Sequence, residues 1–211
     1  MSLTAIGVIY WQIKKPAQVP PSTPSQRSQT PTPFTFSLQP PAQALSAQAT
    51  TFSGGVKKNT RTDLTMLPVS PGSPLTLIEG EAVQTDASGS AQLRFGDHTA
   101  LDVSVDSEFS LTNTLPTGFL VRQSRGQITY EQLQTERSTS IRALNTLIVL
   151  PSGKATISVD PTTRTIEISG TTEQLQFAFI DTDNETQLYT LKPGQNATID
   201  DTAKDVRIEN N

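Results

Sequence analysis

The only histidine of this chain, His98, directly follows Asp97, with Asp102 and Asp106 a few residues further on. An imidazole beside carboxylates is the least that general acid–base chemistry or a metal site requires. One imidazole excludes any centre that needs two histidines from one chain, and a Ser-His-Asp triad has a single candidate base. The spacing also argues against convergence. Alternate residues of a strand share a face, so Asp102, Ser104 and Asp106 are expected on the solvated side, opposite Leu101, Val103 and Val105. His98, after a turn aspartate, is expected at the surface. We therefore expect no catalytic residues and no metal here.

Two other groups of residues invite a chemical reading. Asp181-Thr182-Asp183-Asn184-Glu185 sets carboxylates at alternate positions, as a calcium loop does, but Thr186 stands where the sixth-position glycine belongs and Lys192 where the twelfth-position glutamate belongs. It reads as an Asx-rich hairpin turn. Arg122, Arg125, Arg137 and Arg142 could form a basic patch for an anionic polymer such as a cell-wall glycan; the commoner arrangement is pairing with Glu131 and Glu136 at modest energetic value. The chain has no cysteine, which excludes disulfides, thiolate metal sites and thiol nucleophiles. No cofactor is expected.

The elements that must position these residues are strands. Ala91, Leu93 and Phe95 alternate with polar neighbours, as do Leu101 and Val103, Phe109 and Leu111, Ile157 and Val159, Ile166 and Ile168, and Leu175, Phe177 and Phe179. Runs of this period recur about every eight to 12 residues between turn signals at 151–153, 160–161, 181–184 and 193–194, the pattern of an all-β sandwich, barrel or solenoid. Only Glu131 to Ser140 is compatible with a helix, and a polar loop explains it equally well.

Residues 75–111 add a particular cadence of turns. Leu77, Gly80, Glu81 and Thr85 match a Leu-x-x-Gly-Glu/Asp turn leading to a threonine, and Ala91, Leu93 and Phe95 match the strand that follows. Gly96, Asp97, His98 and Thr99 stand where an Asp-Gly-Ser/Thr turn is usual. Leu101 and Val103, then Ser107, Phe109 and Leu111, complete a first half. Gly126-Gln127-Ile128, the strand from Ile141 to Leu150, and Leu191, Gly194 and Gln195 match a second half, with Ser152-Gly153 in place of a Gly-Thr pair. Over residues 52–201 this resembles the FecR-like domain of bacterial extracytoplasmic proteins. The resemblance implies structural roles for these motif residues, Asp97 included, and strands stacked as a β-solenoid, a roll or a sandwich. It implies a non-enzymatic module for protein binding or envelope signalling, whose partner is another envelope or membrane protein, either a receptor or a sigma-factor system. A cell-wall or carbohydrate-binding adhesion module is the alternative.

Composition divides the 211 residues unevenly. Eight of the 15 prolines precede residue 42, and the first fifty residues hold Lys14, Lys15 and Arg27 but no acid. Of the 16 basic residues, 13 therefore remain for the rest of the chain, against all 20 acidic ones. A net-acidic body lacks the clustered cations that displace counterions from nucleic acid. Residues 1–15, with the apolar run LTAIGVIYWQI, are expected to be the C-terminal part of a single-pass membrane helix, with Tyr10 and Trp11 at the interface. Lys14 and Lys15 weigh the other way, since basic residues favour the cytoplasmic side. Residues 16–51, rich in Pro, Ser, Thr and Gln, cannot bury enough apolar surface to offset chain entropy and are expected to be a disordered spacer. Residues 52–211 are expected to form the β domain, held outside the cytoplasm at the cell membrane.

Overall fold

The computed structural model describes residues 43–70 and 72–210. The first nine strands are β1 (Ala47–Ser53), β2 (Val56–Lys58), β3 (Leu67–Pro68), β4 (Thr76–Leu77), β5 (Ala82–Thr85), β6 (Ser90–Phe95), β7 (Thr99–Val103), β8 (Glu108–Asn113) and β9 (Leu120–Gln132). Eight more follow: β10 (Thr139–Ala143), β11 (Thr146–Leu150), β12 (Gly153–Asp160), β13 (Thr165–Ser169), β14 (Leu175–Ile180), β15 (Thr186–Leu191), β16 (Gln195–Asp200) and β17 (Asp205–Asn210). Every element among the described residues is a strand or a turn, so the described part of the protein is all-β. The expected membrane segment and most of the spacer lie outside the described residues.

The strands form one mixed sheet folded into two leaves at β9. The first half of β9 pairs with β8 and β10, and its second half with β7 and β12. One leaf runs β4, β1, β6, β7, β9, β12, β13, β16, β17. The other runs β3, β2, β5, β8, β9, β10, β11, β14, β15. From β10 onward the chain lays down hairpins alternately on one leaf and the other. All ladders are antiparallel except β9 with β10, so the solenoid expectation is corrected: strands stack through hairpins, not through parallel coils.

Why two leaves follows from the side chains. Each long strand alternates buried side chains with more accessible ones, as in β6, β12 and β14. One leaf alone leaves its apolar face wet, yet Leu93, Phe95, Ile128, Ile141, Ile148, Ile157, Ile168 and Phe177 are all buried in one cluster drawn from both leaves. Each such side chain taken from water stabilises the fold by about 1.5–3 kcal/mol. The hairpin ends follow from aspartates. Asp160 Oδ1 accepts from the amides of Thr162 and Thr163, and Asp200 Oδ1 from those of Thr202 and Ala203. Arg164 and Lys204 then take the left-handed conformation, at φ 55° and 57°, which returns the chain along its partner.

Strand β1 opens at Ala47, inside the stretch read as spacer; Ala47 is in the core and β1 pairs with β6 across Gln48 to Ser53. Val105 and Asp106 do not continue β7, which ends at Val103. They form a turn with Asp106 at φ 50° and Val105 47 % exposed. Of the two readings of Glu131 to Ser140, helix or polar loop, the loop holds: its first two residues end β9, its last two open β10, and a turn joins them.

Candidate functional site

The turn between β4 and β5 is built on Glu81. Its amide donates to the Ile78 carbonyl and its carboxylate accepts from the Ile78 amide at 2.9 Å, closing the turn that Gly80 allows. The same carboxylate, nearly buried, meets Lys58 Nζ at 2.8 Å from the adjacent strand. Thr85 is also buried. Its hydroxyl donates to the Ser104 carbonyl at 2.7 Å and accepts from the Ser107 amide at 2.9 Å, tying β5 to the turn before β8. Leu77, Leu93, Phe95 and Leu101 are core residues. Gly194 and Gln195 form the turn between β15 and β16, where Gln195 Oε1 accepts from the Lys192 amide. These motif residues lie in separate turns and strands and do not converge on a cleft.

Gly126 marks the point where β9 passes from one leaf to the other. A buried side chain braces the backbone there: Gln123 Nε2 donates to the carbonyls of Gly126 at 2.8 Å and Ile157 at 3.0 Å. The Tyr130 hydroxyl donates to Gln123 Oε1 at 3.1 Å. Full burial raises the Tyr130 pKa, so this phenol stays protonated. Tyr130 is therefore a core residue and offers no stacking platform, and Tyr189 lies stacked on Phe177 with centroids 5.0 Å apart.

His98 is the largest departure from expectation. It was expected at the surface, and instead its ring is 0 % exposed, edge-on to Phe119 with centroids 5.1 Å apart; Phe119 in turn meets Phe95 at 4.8 Å. The reason is the turn before β7. The His98 amide donates to the Phe95 carbonyl and its carbonyl accepts from the Leu133 amide, which fixes the backbone so that the side chain points inward. Neither ring nitrogen has a hydrogen-bond partner. Asp102 is exposed further along β7 and Asp106 is exposed in the next turn, so the three residues are not brought together.

Burial pushes the His98 pKa below the ordinary imidazole value, Arg137 pushes it further down, and Asp97 opposes. Since the unfolded chain takes up a proton near pH 6.5 and the folded one does so only at lower pH, stability is full above about 6.5 and falls as pH drops below it. We predict that His98→Leu removes this slope, so that the variant gains stability relative to the native chain as pH falls from 7.5 to 5. Urea midpoints at pH 7.5 and pH 5 read this; parallel pH dependences of the two proteins refute it.

Other candidates resolve into turn and surface. Asp181 Oδ1 accepts from the amides of Asp183 and Glu185, and Oδ2 from Gln187 Nε2; these bonds, that from Gln187 first, lower its pKa. It holds the turn between β14 and β15. Arg125 pairs with Glu108 at 3.5 Å, whereas Arg122 and Arg142 lie opposite each other on adjacent strands, both exposed. Among the described residues no three His, Asp or Glu side chains are grouped as a metal site would require. A groove of about 420 Å³ lies open beside β1 and β6 and is lined by Leu45, Gln48, Thr50 and Arg94.

Sequence reading missed a buried charge cluster. Asp201, its carboxylate inaccessible, accepts from Asn145 Nδ2 at 3.0 and 3.1 Å, from Lys204 Nζ at 3.0 Å and from Arg164. Three turns, those after β10, β12 and β16, are thus fastened at one end of the fold. Lys204 also sits 5.4 Å from the Phe179 ring centroid. The local signal, a second aspartate beside the Asx-turn Asp200, gives no hint of Asn145, 56 residues away.

No family model matches this sequence, and no curated protein does. Two crystal structures of a "putative anti-sigma factor" from Parabacteroides distasonis are similar, each with a TM-score of 0.52, at 12 % and 11 % identity. The match covers 61 % of this chain and 59 % of that one, so this chain spans well under two thirds of the solved protein. At such identity what the two proteins share is the arrangement of strands.

Proposed function

We propose that this chain is a non-enzymatic FecR-like module, tethered to a cell membrane through residues 1–15, that binds protein partners outside the cytoplasm in envelope signalling. The observation that carries this reading is the fold shared with the "putative anti-sigma factor" of P. distasonis. The turn motif around Gly80, Glu81 and Thr85 supports it from the sequence side. So does the use the fold makes of its polar residues: Glu81, Thr85, Gln123, Asp181 and Asp201 all hold turns or strand crossings, and the surface that remains is a broad strand face suited to another protein.

Two readouts in the source cell test the proposal. Alkaline phosphatase fused after Asn211 is expected to be active, and the same fusion to a cytoplasmic reporter inactive; the reverse pattern overturns the placement. Deleting the gene is expected to change transcripts of a discrete gene set at least fivefold. Transcripts that stay unchanged in every condition where the protein is made overturn the signalling role.

A further inference from the structure

The two leaves have four open edges among the described residues, and three of them are guarded. β3 and β4 are two residues long, and β3 contains Pro68. β17 carries Asp205, Arg207 and Glu209. Short length, proline and charge are the features that keep a sheet edge from recruiting another strand. β15 has none of them. It is six residues long, reads TQLYTL, and pairs with β14 alone.

The outer face of its leaf leads to that edge. Register aligns Leu147 of β11 with Ala178 of β14 and Leu188 of β15. The two leucines of this row stand in solvent, Leu147 at 42 % and Leu188 at 68 % exposure, with Ala178 half-buried between them and Ile180, 41 % exposed, beside it. Strand β15 is flanked by charges of opposite sign: Asp183 and Glu185 are exposed just before it and Lys192 just after it.

We infer that β15 is the pairing edge of a twofold homodimer, in which β15 of a second copy adds antiparallel with the two Leu188 residues opposite each other. Only the antiparallel direction sets the acidic end of one strand against the basic end of the other, bringing Lys192 beside Asn184 and Glu185 of the second copy. A parallel addition puts like charges together. Centring on Leu188 keeps both apolar rows on one face and joins them into a single band; a slip of one residue sends one row to the opposite face. Each copy uses the same edge once, so the assembly closes at two and does not grow into a fibre.

Sedimentation velocity of the full chain over a concentration series tests this. A monomer–dimer equilibrium is expected. Leu188→Lys should weaken it at least tenfold without moving the urea midpoint measured at concentrations where the native chain is monomeric, since this side chain then stands in solvent. Lys192→Glu should weaken it at least threefold, and adding Glu185→Lys should restore it. Because the chain has no cysteine, Leu188→Cys should yield a disulfide-linked dimer on mild oxidation. Leu147→Cys should not, because those residues would stand five strand spacings apart, about 24 Å. A native chain that stays monomeric, including one that binds a foreign extended peptide at this edge, overturns the proposal. Association indifferent to Leu188→Lys overturns it too, as does equal cross-linking from both cysteine positions.

Discussion

Gly126→Ala is expected to destabilise the β domain by about 3 kcal/mol or more, a large part of the 5–15 kcal/mol that holds a typical domain folded. Two effects add. Gly126 sits at φ +77°, a left-handed conformation that strains any side chain, and a Cβ there would lie 2.4 Å from Ser107 Cα and 2.6 Å from the Asp106 carbonyl oxygen. Those are backbone atoms, held by Thr85 and by the Ser107 hydroxyl bonded to the Gln127 carbonyl, so they cannot swing away as the end of a flexible side chain would. Gly194 separates the two effects. It has the same φ, +77°, with nothing within 4 Å of its would-be Cβ, so Gly194→Ala should show the backbone strain alone, about 1 kcal/mol. Urea unfolding of the two variants reads the difference. Equal losses would mean that the chain can move β9 and the Asp106 turn apart at little cost.

Asp201→Ala is expected to lower stability by about 3 kcal/mol at pH 7. The substitution removes one acceptor that serves Asn145, Arg164 and Lys204 together, and it frees three turns whose only common partner is that carboxylate. Arg164 and Lys204 retain partial access to water, which keeps the loss below that of a wholly buried pair. Burial by itself would raise the Asp201 pKa, but bonds from Lys204, Arg164 and Asn145 outweigh it and hold the carboxyl below its ordinary value. With the folded pKa depressed, this contribution is present above about pH 3.8 and disappears as pH falls through the lower folded value. The gap between native and variant urea midpoints should therefore be wide at pH 7 and should narrow progressively as pH falls below 3.8. A gap that does not change with pH would show that packing, and not the carboxylate charge, fastens the turns. The His98 effect lies in a separate window, beginning near pH 6.5, so one titration series distinguishes the two.

How much of this was legible in the sequence depends on the range of the interaction concerned. The alternation of Ala91, Leu93 and Phe95 declared a half-buried strand because period two is a property of the local backbone. The aspartates at 160 and 181 declared turns because each side chain bonds amides two to four residues on. Where the next contact lies far along the chain, the reading failed. Val105 fits the apolar alternation, yet the chain turns at Ser104 so that Thr85 can bind its carbonyl, and that tie comes from 19 residues upstream. His98 looked like a surface turn residue because nothing nearby in sequence announces Phe119 or the Leu133 amide as its neighbours.

The sequence by itself determined an all-β body, most strand positions, the hairpin turns and the acidic charge, since each follows from neighbours within a few residues or from composition. Tertiary structure alone decided that β9 divides between two leaves, that His98 is buried without partners, that Asp201 joins three turns, and that β15 is the one unguarded edge among the described residues. The physical reason is that burial and edge exposure belong to pairs of strands and not to single ones: a strand carries its own alternation, but which face is covered, and by what, is settled only when the partner strand arrives.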